Sequence, residues 1–231
     1  MARLKRVVVP GLPHHVTQRG VRRCDTFIEP QDREVYGRLM LDNCRRYSLA
    51  IHAYCWMTNH VHLVAVPGDE NSLAFALRDT SGLYATYFNR KYGYSGHLWQ
   101  ARFFSCVLDE QRYWPVIRYV ERNPVRARMV SRAEDYSWSS APAHCCGQTD
   151  PLVTPFERPQ LIADWSAWLA DEEEGAELKA IRLHTRTGRP LGSESFLKEL
   201  EARLGRPITP QKRGPKPESD APLSLEVDLD D

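Results

Sequence analysis

Apolar and polar positions alternate along the chain in short blocks of two kinds. Residues 12–19, Leu-Pro-His-His-Val-Thr-Gln-Arg before Gly20, read as a strand of low regularity. Residues 30–48 place Val35, Leu39, Leu41 and Cys44 at near-helical spacing among charged residues, the pattern of an amphipathic helix. Residues 51–57 and 61–66 are rich in strand formers and flank Thr58-Asn59-His60, which predicts a hairpin pair. Between residues 72 and 90, Leu73, Ala76, Leu77, Leu83, Tyr84, Tyr87 and Phe88 share an approximate helical face. A Gly/Tyr-rich turn over 92–96 leads to a short strand over 103–108. Asp109 suits the N-cap of a helix running to about Arg122. Asn123-Pro124 stops that helix, because a residue before proline is pushed out of the helical region. Pro115 removes one backbone donor inside it, which predicts a kink or a late start.

Strand, helix, strand, strand, helix, strand and a further helix have a two-layer solution. It is an antiparallel sheet with helices packed on one face, an α+β arrangement of split βαβ type. After Cys146 the character changes. Trp165 and Trp168 within residues 150–169 predict a short helix packing back on the domain, and residues 171–174 are an acidic run. Residues 193–204 predict a helix with Ser193 as N-cap and Gly205 as C-cap. Residues 207–231, rich in Pro, Lys and Asp, predict disorder. The expected organisation is a domain over residues 1–146, an extension with short helices over 147–206, and a tail over 207–231.

Composition sharpens this picture in three ways. Hydrophobic residues at 42% and charged residues at 26% exclude a wholly disordered or fibrous chain of this length. The net charge of +1 gives no bulk field, but it is unevenly spread: +5 over residues 1–67, −4 over 68–175, +6 over 176–217 and −6 over 218–231. Such asymmetry points to nucleic-acid contact. The six cysteines lie scattered with no Cys-x-x-Cys pair, as expected of reduced thiols in a cytosolic protein. Pro10 cuts off Val7–Val9 after the basic start, so no export signal is expected. The uncharged run over residues 47–68 contains His52, Asn59, His60 and His62, so no membrane span is expected. A soluble, cytoplasmic protein is the expectation.

Two pairs of residues carry candidate chemistry. In His60-Val61-His62 the histidines are two apart, so on a strand they share a face about 6.5 Å from one another. Two neutral imidazoles there can converge on Mg, Mn or Zn; an isolated His-x-His is more often a surface pair on an edge strand. Tyr119 and Asn123 are four apart, about 6 Å along a helix and on the same side. A tyrosine hydroxyl is a competent nucleophile, and the Asn123 amide oxygen could complete a metal site one turn away. Taken alone, the pair also reads as a half-buried aromatic and a helix-end residue. Tyr113 is a rival nucleophile on a different face of the same helix. Together the two pairs form a device for cutting a phosphodiester. A divalent ion polarises the phosphate, the phenolic oxygen attacks in line, and the bond energy is kept in a phosphotyrosine link.

Residues 56–63 (Trp-Met-Thr-Asn-His-Val-His-Leu), 98–103 (Leu-Trp-Gln-Ala-Arg-Phe) and 118–125 (Arg-Tyr-Val-Glu-Arg-Asn-Pro-Val) resemble the single-tyrosine HUH transposases. Among these the likeness is to the REP-associated tyrosine transposases, and Pro10-Gly11, His14-His15-Val16-Thr17 and Arg19-Gly20 fit the same pattern. The resemblance covers about residues 1–142. It implies a ferredoxin-like (RNA-recognition-motif-like) α+β core. It implies cleavage and joining of single-stranded DNA through a 5′-phosphotyrosine, with Mg²⁺ or Mn²⁺, near palindromic repeats that form hairpins. Position by position, His60 and His62 match the metal ligands, Tyr119 the nucleophile, and Asn123 the third ligand on the nucleophile's helix. Pro115 departs from the family's run of helix formers.

DNA contacts are expected from a basic N-terminal cluster, Arg3, Lys5, Arg6, Arg19, Arg22 and Arg23. A second group, Arg102, Arg118, Arg122, Arg126 and Arg128, lies near the motif helix, and such groups make binding salt-sensitive. Tyr92, Tyr94, Trp99 and Phe103 are candidates to stack unpaired bases. About half of these side chains are expected only to solvate a surface or fill a core. The Gly-Arg-Pro steps at 188–190 and 205–207 and the basic stretch at 213–216 suit either a minor groove or linker punctuation. The alternative to an enzyme is a non-catalytic, sequence-specific binder of hairpin DNA or RNA; a weaker one is a hydrolytic His-metal nuclease. The assembly is expected to be a monomer or a homodimer.

Overall fold

A computed structural model of the chain describes residues 6–157, 162–171 and 175–208. Strand β1 (His14–Arg19) is followed by a single 3-10 turn at Val21–Arg23 and helix α1 (Pro30–Arg46). Then come β2 (Leu49–Trp56), β3 (His60–Pro67), α2 (Ser72–Tyr92), β4 (Phe104–Val107) and α3 (Glu110–Glu121). The sheet order is β2-β3-β1-β4, with all three pairings antiparallel. This is the ferredoxin-like arrangement expected of the sequence.

Helix boundaries follow local chemistry. Glu29 and Asp32 form a reciprocal capping box ahead of Pro30 at the start of α1. Asp109 caps α3 by accepting from the Arg112 amide, and its second oxygen accepts from the Ser193 amide at 2.7 Å. One carboxylate therefore ties α3 to the entrance of the helix over Glu194–Leu204. Helix α3 runs on through Pro115 without a break. The stop expected at Asn123-Pro124 is observed. α3 ends at Glu121, and Asn123 opens a separate short helix, α4 (Asn123–Arg126), in which the proline occupies the first turn. Proline is tolerated there because its missing N–H would have no helical partner.

α1 and α2 cover one face of the sheet, as expected. Val16, Ile51, Val61, Leu63 and Ala65 point into that core, with Tyr36, Met40, Leu73, Leu77 and Tyr84 from the helices. Tyr36 lies edge-on to Phe27, Trp56 and Tyr84 with centroids 5.0–5.4 Å apart, the geometry favoured by ring quadrupoles. The opposite face is covered as well. α3 packs there with α5 (Ala141–Cys146), α6 (Trp165–Ala170), α7 (Gly175–Thr187) and Leu191, around Ala53, Cys55, Val64 and Cys106. The sequence reading placed helices on one face only, and α7 was not anticipated. Ala53, Cys55, Val64 and Cys106 are apolar side chains that would otherwise face water. Beyond α7, Leu191 forms a parallel bridge with Leu108, and α8 (Glu194–Leu204) lies between its Ser193 cap and left-handed Gly205. The expected disorder over 207–231 falls almost wholly outside the described residues. Among the described residues no helix is long and apolar enough to cross a membrane.

Candidate active site

Strand alternation sends His60, His62 and Val64 of β3 to the α3 side, while Val61, Leu63 and Ala65 enter the first core. In the antiparallel register Arg19 of β1 faces His60, Thr17 faces His62 and His15 faces Val64. Three imidazoles thus lie on one patch of sheet. The His60 and His62 rings are 5.0 Å apart, and His15 stacks nearly parallel on His62 at 5.2 Å. Tyr119, carried by α3, sets its ring edge-on against both His15 and His62, at 5.7 Å each. The structure therefore brings Tyr119 against the histidine pair that the sequence singled out.

Gly20 ends β1 where the chain is tightest. A Cβ there would lie 2.4 Å from the Cys24 carbonyl oxygen and 2.7 Å from Thr26. This close approach lets the Gly20 amide donate to the Asn59 carbonyl beside His60. The Asn59 side chain in turn donates to the Arg23 carbonyl at 3.0 Å, which turns its Oδ1 to His60 Nδ1 at 2.7 Å. His15 Nε2 lies 3.0 Å from His62 Nδ1, and His15 Nδ1 lies 2.8 Å from the Thr185 hydroxyl of α7.

Burial makes these rings poor bases. It pulls His60 down to about 3, with Arg19 adding to the effect. Burial and then Arg126 bring His15 to about 3. His62 falls well below 6.5 through burial, followed by His60, His15, Arg126 and Arg19. Near neutral pH all three are uncharged and keep a lone pair, the form in which imidazole ligates metal.

Asn123 stands at the join of α3 and α4, not on the nucleophile's own helix as the sequence suggested. Its Nδ2 donates to the carbonyls of Tyr119 and Val120 at 3.0 and 3.2 Å. The amide is thereby oriented, and Oδ1 is the end that offers lone pairs. Among the described residues no three His, Cys, Asp or Glu side chains form a metal cluster. Two imidazoles and one amide oxygen fit a hard divalent ion that keeps open positions for water and phosphate oxygens.

Arg126 of α4 lies over the Tyr119 ring with its Cζ 4.2 Å from the centroid, and it donates to the Tyr119 carbonyl. Arg19 is half-buried beside His60; burial and Arg23 lower its pKa, and Tyr119 opposes them. Beneath Tyr119, the buried Glu121 carboxylate accepts from Ser140, from Trp165 Nε1 at 2.7 Å and meets His144 Nδ1 at 2.6 Å. That clamp fixes the end of α3 to α5 and α6.

The other predicted DNA contacts divide. Arg22, Arg23 and Arg102 are exposed, on two loops joined where Val21 donates to Leu98 and Gln100 donates to Arg19. They form a basic rim at the His60 end of the sheet. Arg128 is exposed with a left-handed backbone, φ 57°. Arg6 is held on the core by the Phe103 carbonyl at 2.7 Å and by the Phe103 ring at 3.6 Å. Arg118 and Arg122 turn away from the histidines: both donate to the Asp171 carbonyl, and Arg122 also to Leu169. They cap the C-terminal end of α6. Trp99 donates to the Ser81 carbonyl at 3.1 Å and packs against Tyr36 and Tyr84, as a half-buried core residue. Tyr92 donates to the Asp32 carboxylate at 2.8 Å and Phe103 is buried, whereas Tyr94 is exposed. Arg3 and Lys5 lie outside the described residues. Tyr113, the rival nucleophile, pairs with His52 at 2.6 Å beside Phe156, and no ring of the histidine triad contacts it.

Residues 9–123 match the model of a family described as "Transposase IS200 like". The chain belongs to the IS200-like transposase family. Among solved structures, the fold is similar to that of a REP-associated tyrosine transposase bound to a REP hairpin. That likeness has a TM-score of 0.54 and 19% identity, over 69% of this chain and 99% of the other. A second similar structure is a protein from Deinococcus radiodurans R1 that carries a provisional transposase name. It has a TM-score of 0.37 and 16% identity, over 52% of this chain and 97% of the other. No curated protein matches the sequence. The family match contains β1 to β4 and α3 and closes at Asn123, so α5 to α8 of this transposase lie beyond it. Sequence reasoning missed three site residues: His15, Asn59 and Thr185. The first two stood within the motifs quoted, and the alternation His15, Thr17, Arg19 was the signal for a shared face. Thr185 gave none.

Proposed function

We propose that this transposase cleaves and rejoins single-stranded DNA beside a hairpin-forming palindromic repeat, through a 5′-phosphotyrosine on Tyr119. The observation that carries the reading is the Tyr119 ring set edge-on to His62, 5.7 Å away, within the three-histidine patch, whereas the imidazole edge-on to Tyr113 is His52, outside that patch. The Tyr119 oxygen attacks phosphorus. The bond from phosphorus to the 3′ oxygen breaks, and that oxygen leaves with the electron pair and is protonated to a 3′-hydroxyl. The phenolic proton passes to water. The reverse attack by a 3′-hydroxyl rejoins the strand and frees the tyrosine, so no external energy is consumed.

His60, His62 and the Asn123 amide oxygen would hold Mg²⁺ or Mn²⁺, which when bound supplies Lewis-acid polarisation of the scissile phosphate. Arg19 and Arg126 flank the tyrosine and offset phosphate charge, and the rim of Arg22, Arg23 and Arg102 holds the flanking strand. The fold shared with a hairpin-bound transposase supports a folded repeat as the partner.

The test is a labelled hairpin oligonucleotide with a single-stranded flank, incubated with Mn²⁺ and run on a denaturing gel. Wild type and Tyr113→Phe should give a slow covalent adduct, and Tyr119→Phe should give none, a loss on the order of 10³-fold or more. Cleavage without an adduct that survives Tyr119→Phe would indicate hydrolysis. Binding without cleavage by wild type would leave only a binder.

A further inference from the structure

Thr185 sits on α7, beyond the family match, yet its hydroxyl ends a chain of hydrogen bonds that starts at His62. Thr185 Oγ1 is 2.8 Å from His15 Nδ1 across 170 residues of sequence, and His15 Nε2 is 3.0 Å from His62 Nδ1. Each contact holds one proton, and the direction of the chain is open until one end is fixed. Ile181 fixes it. Its carbonyl oxygen lies 2.7 Å from Thr185 Oγ1.

A carbonyl only accepts and a hydroxyl has a single proton, so the Thr185 proton goes to Ile181 and the oxygen accepts from His15 Nδ1–H. A neutral imidazole carries one N–H, which leaves His15 Nε2 bare, able only to accept from His62 Nδ1–H. By the same count His62 Nε2 is bare. We propose that Thr185, acting through His15, is a positioning residue that holds His62 in the Nδ1–H tautomer and presents Nε2 to a divalent cation. The C-terminal segment is then a working part of the metal site. His60 reaches the same tautomer locally, because Asn59 is oriented by the Arg23 carbonyl and turns an acceptor to Nδ1. Hydrogen bonds of this kind fix ring orientation and ligand basicity. The inference rests on reading His60 and His62 as ligands.

The experiment uses full-length protein labelled with ¹⁵N-histidine. Long-range ¹H–¹⁵N spectra of the metal-free protein report each ring's tautomer, and a Mn²⁺ titration reports affinity. Wild type and Thr185→Ser should both show His62 as Nδ1–H. The isosteric Thr185→Val should show mixed or Nε2–H His62, with His60 unchanged as internal control, and Mn²⁺ affinity lower by about 10-fold or more. A wild-type His62 in the Nε2–H form overturns the relay whatever the variants do. So does a Thr185→Val protein with the wild-type tautomer and affinity. Tautomers as expected but no Mn²⁺ uptake by wild type overturns the reading of His60 and His62 as ligands instead.

Discussion

The two faces of the sheet use the same four strands for opposite purposes. On the α1–α2 side, β1 and β3 contribute Val16, Val61, Leu63 and Ala65, all fully buried among aromatic rings and aliphatic side chains. One residue along each strand, on the other side, stand His15, Thr17, Arg19, His60 and His62. The polar set sits where it does because the apolar set fixes the register; a slip of one residue would exchange the two. The first face is closed by neighbours in sequence. The second is assembled from β1, β3, α3, α4 and α7, so it depends on segments far apart along the chain. A rigid apolar layer carries a polar site whose geometry it does not itself supply.

The largest effect that separates the faces is a pair of substitutions. Leu63→Ala empties a fully buried position of the first core and should cost about 2–5 kcal/mol in urea unfolding. Its cleavage rate in the cold should stay within a few-fold of wild type. Tyr119→Phe should do the reverse, with no adduct and an unfolding free energy changed by about 1 kcal/mol or less. If Leu63→Ala abolished cleavage while still folded, the first layer would be part of the site and the distinction would fail.

Acid should weaken mainly the second face. Burial lowers His15 and His60 to about 3 and His52, on β2 beside Tyr113, to about 4, from an ordinary value of 6.5. Between those values the unfolded chain binds more protons than the folded one, so stability is full above about pH 7 and falls as the pH drops from 6.5 toward 4. Each imidazole contributes about 1.4 kcal/mol per pH unit across that window. Urea midpoints of metal-free protein from pH 8 to 4 check this, and His15→Asn should flatten the slope. A flat profile would mean the rings take up protons in the folded chain at the same pH as in the unfolded one.

The core site was legible in the sequence because its periods are local. His60 and His62 obey the two-residue alternation of a strand, and Tyr119 the spacing of a helix that Asp109 caps. Asn123 was read as a ligand on that helix from its spacing four residues beyond Tyr119; α3 stops at Glu121, and Asn123 opens the next short helix. α7 escaped notice although Leu178, Ile181 and Thr185 share a face, because the acidic run before it masks the pattern and its partner, β1, is remote. Arg118, Arg122 and Arg126 are equivalent in sequence. Only the α6 carbonyls, supplied by tertiary packing, decide that the first two serve structure and the third approaches the tyrosine.

That division of arginines is itself testable through salt. Arg22→Ala and Arg23→Ala should each weaken single-stranded DNA binding and reduce the slope of log affinity against log salt by about 0.7–0.9. Arg118→Ala should leave the slope unchanged and lower the melting midpoint, since its guanidinium holds the Asp171 carbonyl at 2.6 Å. Fluorescence anisotropy over a salt series, with melting curves alongside, checks both. A slope reduced by Arg118→Ala would return that side chain to the DNA surface.

The smallest effect expected is at Tyr36, the first face's counterpart to Tyr119. Its ring is fully buried among Phe27, Trp56 and Tyr84, and its hydroxyl reaches no hydrogen-bond partner among the described residues. Burial pushes its pKa upward, so the phenol stays protonated and carries no charge to place. A buried hydroxyl without a partner opposes folding, because it gives up water and receives nothing in exchange. Tyr36→Phe keeps the ring contacts and removes that atom, so stability should rise by about 1 kcal/mol, about 2–4 °C in melting midpoint, with cleavage unaltered. One phenol is then dispensable and the other indispensable, on opposite sides of the same strands. A fall in the midpoint would show that the Tyr36 hydroxyl is paired in solution, and that the first face holds a polar contact of its own.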